Sequence, residues 1–139
     1  MSNAPEGFKP LFRSSPVIDL IGPVYSKGEG EDLVLGLRVG KKHCNMRGTL
    51  HGGILATLAD VALGYTIAFS TQPPTGLITA SLSLDFAGTA RIGDWLETKV
   101  DVQKKGGRLA FANCYISAGG QRIVHASAVF IVAGELKES

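Results

Sequence analysis

The sequence predicts an α+β domain in which a mostly antiparallel sheet wraps around one long buried helix. Three observations carry that expectation. Residues 52–70, GGILATLADVALGYTIAFS, repeat Ile54, Leu55, Leu58, Val61, Ala62, Tyr65 and Phe69 at helical spacing and leave no wide polar face, so the helix must be covered on most sides. Four strand-like runs follow it. The turns joining the last three of them are of hairpin length, which makes those neighbours antiparallel.

Taken in order, residues 1–14 form an N-terminal arm, with Phe8, Leu11 and Phe12 available to pack it down, and residues 15–139 form a single domain. Ser15-Pro16 before VIDLI, and Gly22-Pro23 after it, predict a short helix capped by Ser15, opened by Pro16 and closed by Gly22. Val24–Tyr25 and Leu33–Val39 read as strands joined by KGEGED, with Leu33, Leu35 and Leu37 on one face. The polar segment GKKHCNMRGT is a loop that delivers the chain to Leu50 and His51 at the start of the long helix, and Pro73-Pro74 end that helix. Leu77–Phe86 alternates, with Ala80, Leu82, Leu84 and Phe86 on one face and Thr79, Ser81, Ser83 and Asp85 on the other. Trp95–Gln103, Leu109–Ser117 and Ile123–Ala133 are the remaining strands, the last two entered through Gly106-Gly107 and Gly119-Gly120, and the tail ELKES frays.

One residue is out of place in this pattern. Asp60 is the only charged side chain between Gly52 and Ser70. A buried carboxylate costs on the order of 3 kcal/mol or more unless it is paired or hydrogen-bonded, so Asp60 has either a partner or a role. Gly52 and Gly53 leave the first amides of the helix bare at the positive end of its dipole, where a negatively charged oxygen is well received. Gly53 and Asp60 stand two turns apart, ~10 Å along the axis, too far for both to serve one reacting carbonyl from one helix. A second, antiparallel copy of the helix brings Asp60 of one chain beside Gly53 of the other, and a two-fold dimer is the simple way to obtain it.

Composition narrows the field. A chain of 139 residues with 45% hydrophobic content suits one domain, and a net charge of +2 carries no global signal for nucleic acid or a membrane surface. Cys44 and Cys114 lack motif spacing and suggest a reducing compartment, and neither a signal peptide nor a membrane-length apolar span is expected, which reads as a cytoplasmic protein.

His43-Cys44-Asn45, Gly48-Thr49-Leu50-His51-Gly52-Gly53 and Leu58-Ala59-Asp60 together resemble the hotdog-fold acyl-CoA thioesterases, and among them the PaaI-type branch, named for a phenylacetate-degradation thioesterase. With the element order, the resemblance extends over residues 15–134. It implies a long helix wrapped by an antiparallel sheet, homodimers often paired into dimers of dimers, and hydrolysis of acyl-coenzyme A without a metal or bound cofactor, coenzyme A being part of the substrate. Asp60 matches the catalytic carboxylate, as general base or nucleophile. Gly53 matches the amide that polarises the thioester carbonyl, with Gly52 beside it. Asn45 matches the residue that positions water or thioester, and His51 the histidine that holds the helix entrance. A Ser or Thr is implied on the strand after the helix; Thr79 is the first choice and Ser81 the second. Coenzyme A phosphates call for basic groups, for which Arg91, Lys104, Lys105 and Arg108 are candidates, Arg91 and Arg108 first because a guanidinium meets phosphate with a planar fork.

Other chemistries fit less well. His43, Cys44 and His51 match no zinc spacing, and Cys44 has no His–Asn arrangement to activate it. His125 lies mid-strand among apolar residues and reads as a satisfied core or interface residue. A hotdog hydratase or dehydratase would pair His51 with Asp60, and a non-catalytic acyl-CoA-binding protein would keep the pocket alone.

Overall fold

The computed structural model describes residues 4–136. The elements are β1 (Lys9–Pro10), α1 (Pro16–Ile21), β2 (Val24–Lys27), β3 (Val34–Arg38), α2 (Gly52–Ala68), β4 (Thr75–Phe86), β5 (Trp95–Lys105), β6 (Leu109–Ala118) and β7 (Gln121–Glu135), with single 3-10 turns at Gly30–Asp32 and Lys41–His43. All strands join one antiparallel sheet in the order β1-β2-β3-β5-β6-β7-β4. The order follows from the helix. The chain leaves α2 at one margin of the sheet, lays β4 along that edge beside β7, and returns to β5 beside β3 before running through two hairpins. The second hairpin turns on Gly119 and Gly120, whose φ of +58° and +81° suit a tight turn matched to strand twist.

The expected short helix is present: Ser15 Oγ accepts from Ile18 N–H at 3.4 Å, Pro16 opens the helix, and the Gly22 amide closes onto Ile18 O. Ahead of it the arm is tied to the body. Lys9 and Pro10 pair with Ser26 and Tyr25, Leu11 N–H reaches Val24 O at 2.9 Å, and Phe8 meets Trp95 edge-on at 5.0 Å between ring centres. Of the tail, Glu135 still belongs to β7 and Leu136 N–H bonds Pro74 O, while Lys137, Glu138 and Ser139 lie outside the described residues.

The core lies between α2 and the concave face of the sheet. Leu55, Leu58, Ala59, Ala62, Leu63 and Ile67 from the helix meet Leu35, Leu37, Leu96, Cys114, Ile116, Ala126 and Phe130 from the strands, all buried. Burying each large aliphatic side chain among them contributes about 1.5–3 kcal/mol. Gly36 is required where Trp95 crosses β3: a Cβ there would stand 2.1 Å from Trp95 Cζ2. His43, 3% exposed, accepts from Gly40 N–H at 2.8 Å through Nδ1 and donates to Ile21 O through Nε2, pinning the loop before α2 onto α1.

One feature sharpens the expectation and one departs from it. First, the helix is covered on most sides, as expected, but not on all. Gly53 is exposed, and Ile54, Thr57, Asp60, Val61, Gly64 and Tyr65 are only half-buried, forming one open stripe next to edge strand β4. Second, β4 does not alternate regularly. Thr79 pairs with Phe130 but Ser81 pairs with Val129, so Ala80 is an extra residue, a β-bulge. Up to Thr79 the odd positions face the helix; from Leu82 onward Leu82, Leu84 and Phe86 do. The bulge therefore separates Thr79 and Ser81, which the simple alternation had placed together.

Candidate active site

The approach to α2 is a compact loop. Cys44 and Leu50 form an isolated antiparallel bridge, as do Thr49 and Arg91, and Leu50 N–H bonds Ala90 O at 2.9 Å. Inside it, Asn45 Oδ1 accepts from the amides of Arg47 (2.9 Å) and Thr49 (3.2 Å), and Asn45 Nδ2 donates to Thr49 Oγ1 at 3.0 Å. An Asn in this position supplies the turn that the backbone alone would not hold. His51 is the N-cap of α2: its Nδ1 accepts from Gly53 N–H at 2.8 Å. The imidazole is thus held with Nδ1 unprotonated and the Gly53 amide is occupied, while Gly52 N–H has no partner among the described residues. His51 and Asp60 are not brought together, since the ring faces the helix start two turns away.

Asp60 faces β4 from the middle of the helix. Thr79 Oγ1 donates to Asp60 Oδ1 at 2.9 Å, a bond made possible by the Ala80 bulge. A hydrogen bond to a charged acceptor is among the stronger kinds and fixes the carboxylate while leaving Oδ2 free. The expected deep burial is not met within one chain: Asp60 is half-buried, on the open stripe of α2. Beside Asp60 and Thr79 opens a largely apolar cavity of about 270 Å³, walled by Val61, Gly64, Tyr65, Leu77 and Phe130 and backed by the segment from Arg13 to Ile18. The sequence reading missed these wall residues. Gly64 and Tyr65 follow Asp60 by one helical turn, a spacing that marks them; nothing in the sequence marks the arm.

The remaining candidates are dispersed. Ser81 faces away from the helix, in a depression with Gln103, Asn113 and Ser127. Arg91 lies beside the loop that enters α2, with its amide on Asp94 Oδ2 at 2.9 Å. Lys105 is at the other end of the helix, 3.1 Å from Glu31 and 3.2 Å from Ser70 Oγ, and Arg108 is in the adjoining hairpin, its carbonyl bonded by Val132 N–H. His125 is half-buried on the outer sheet face, stacked on Tyr115 with Nε2 3.1 Å from Asn113 Oδ1. Cys114 is buried, and desolvation pushes its thiol up to about 12, which keeps it protonated and unreactive. Among the described residues no three His, Cys, Asp or Glu side chains converge as a metal site would require. No helix there is long and apolar enough to cross a membrane.

A long helix cradled by an antiparallel sheet, carrying a lone carboxylate held by a strand hydroxyl beside an apolar cavity, is the arrangement of a hotdog-fold thioester hydrolase. Comparison with known proteins agrees: the Thioesterase superfamily profile matches residues 47–125, and the chain belongs to that family. It is 53% identical over 131 residues to the Pseudomonas aeruginosa protein named "Putative esterase PA0474", covering 94% of this chain and 98% of that one. Acyl-coenzyme A thioesterase 13 of Mus musculus is 30% identical over 83 residues, which span 60% of this chain and 59% of that protein. In fold the chain is similar to the E. coli PaaI protein from the phenylacetic acid degradation operon, with a TM-score of 0.78 at 19% identity over 87% of this chain and 86% of the other.

Proposed function

We propose that the protein hydrolyses acyl-coenzyme A thioesters to a free carboxylic acid and coenzyme A, in the cytoplasm, as a homodimer that pairs into a dimer of dimers. The observation that carries this reading is the Thr79–Asp60 hydrogen bond of 2.9 Å at the rim of an apolar cavity. Asp60 Oδ2 takes a proton from water as the water oxygen attacks the thioester carbonyl carbon. The carbonyl π electrons move onto oxygen, then return as the carbon–sulfur bond breaks, and coenzyme A leaves as a thiolate that takes up a proton. A thioester is activated enough for a base and an oxyanion site to suffice, so no metal or bound cofactor is needed.

The oxyanion site is the start of the second helix in the dimer. The open stripe of α2 and the unpaired edge of β4 are the surfaces that a two-fold partner would cover. That pairing sets Asp60 beside Gly52 and Gly53 of the partner subunit, with the Gly52 amide already free and the Gly53 amide released as His51 turns aside. Asn45 holds the loop and keeps one amide hydrogen for water or thioester. Arg91 and Arg108 are the choices for coenzyme A phosphates, Lys105 being engaged with Glu31. Asp60→Asn tests the reading directly: kcat on a hydrolysed acyl-CoA should fall about 10²–10⁴-fold with the fold intact by circular dichroism. Near-normal hydrolysis by that variant rejects Asp60 as the base.

A further inference from the structure

We propose that Gly64, together with the Tyr65-anchored segment Arg13–Ile18, sets the size of the acyl group this site accepts. The proposal rests on the acyl-CoA reading above and adds to it a pocket and a selector. The cavity beside Asp60 and Thr79 measures about 270 Å³.

Gly64 and Phe130 adjoin in the wall of this cavity. A Cβ at this position would stand 3.7 Å from Phe130 Cε1 and 3.9 Å from Cζ, ordinary contact that requires no movement. Glycine inside a helix is unfavourable relative to alanine, and alanine fits here without strain, so the helix forgoes stability at this point. What the glycine leaves is space, one turn beyond the reacting carboxylate and on the same face. A larger side chain would enter the cavity where an acyl chain lies.

The far wall comes from the N-terminal arm. Tyr65 Oη donates to Arg13 O at 3.0 Å, and Phe12 packs on Phe69 and Tyr65 with ring centres 4.9 Å and 5.9 Å away. Burial disfavours the charged form of Tyr65, so its phenol remains the donor in that bond at neutral pH. Tyr65 touches both the cavity and the segment that closes it, and is the positioning residue for the wall.

The test is a chain-length series of acyl-CoAs, from acetyl to dodecanoyl with phenylacetyl included, on wild type, Gly64→Ala, Gly64→Val and Tyr65→Phe. The wild-type series sets the reference profile. The ratio of kcat/KM for octanoyl to that for acetyl should drop several-fold in Gly64→Ala and at least tenfold in Gly64→Val, mostly through KM. In Tyr65→Phe the ratio of dodecanoyl to octanoyl should rise at least threefold. An unchanged octanoyl-to-acetyl ratio in both Gly64 variants, with active wild type, overturns this assignment and leaves the thioesterase reading standing. Turnover of none of the acyl-CoAs by the wild type overturns both.

Discussion

Replacing Thr79 by valine keeps the shape of the side chain and removes one donor, the hydroxyl that meets Asp60 Oδ1 at 2.9 Å. A hydrogen bond to a charged group contributes about 1.5–3 kcal/mol. The lower end applies here, because both residues are open to solvent on one side of the chain. If that energy holds the carboxylate in its reactive orientation, about 1.5 kcal/mol is lost from the transition state, a fall in kcat of roughly tenfold. KM should stay within twofold, since the hydroxyl holds the base and not the substrate. The assay is the release of coenzyme A thiol under saturating acyl-CoA. A cycle with Asp60→Asn sharpens it: once the carboxylate is gone, adding Thr79→Val should slow the enzyme no further. Two results would refute the reasoning. A Thr79→Val enzyme with wild-type kcat means the bond does not position the base. A loss as large as that of Asp60→Asn means Thr79 acts on the reacting atoms itself.

Three further outcomes concern the scaffold. Thr66 is fully buried and its hydroxyl has no hydrogen-bond partner among the described residues, so Thr66→Val, nearly equal in shape, should stabilise the protein by about 1 kcal/mol and raise Tm by about 3–5 °C in a thermal scan. Cys114 is buried with its thiol pushed up to about 12 by desolvation, so a disulfide reagent should label half-buried Cys44 in the native protein and Cys114 only after denaturation. Gly36→Ala should destabilise by about 3 kcal/mol or more, because Trp95 lies where the new Cβ would stand, and Trp95→Leu should recover much of that loss in denaturant melts.

Much of the fold was legible because it rests on local signals. The run of Leu33, Leu35 and Leu37 pointed inward, Ser15-Pro16 and Gly22 bounded a short helix, and two Gly-Gly pairs marked hairpins. Asp60 was legible as a charge in an apolar run, and the structure gives it the partner such a charge calls for, Thr79. What the sequence hid depends on distant contacts. The strand at Lys9–Pro10 exists only because β2 offers an edge, and two residues carry no periodicity. The helix looked apolar nearly all round although one stripe is left open next to β4, and a sequence does not distinguish apolar residues of a core from apolar residues on an open face. The occupied amide of Gly53 could not be foreseen, since it depends on the rotamer of His51.

The single extra residue at Ala80 has a consequence for how the protein can change. Because β4 is flanked by a neighbour on one side only, the insertion interrupts one ladder, where in an interior strand it would have interrupted two. Ironing the bulge out with every residue kept would slip the part of β4 before it by one position and carry the hydroxyl of Thr79 to the far side of the sheet, whereas deleting Ala80 itself would leave Thr79 and Leu82 on the helix face. The Thr79–Asp60 contact at this margin therefore hangs on register within a strand as much as on side-chain identity, and homologous strands should be aligned there by structure before their residues are compared.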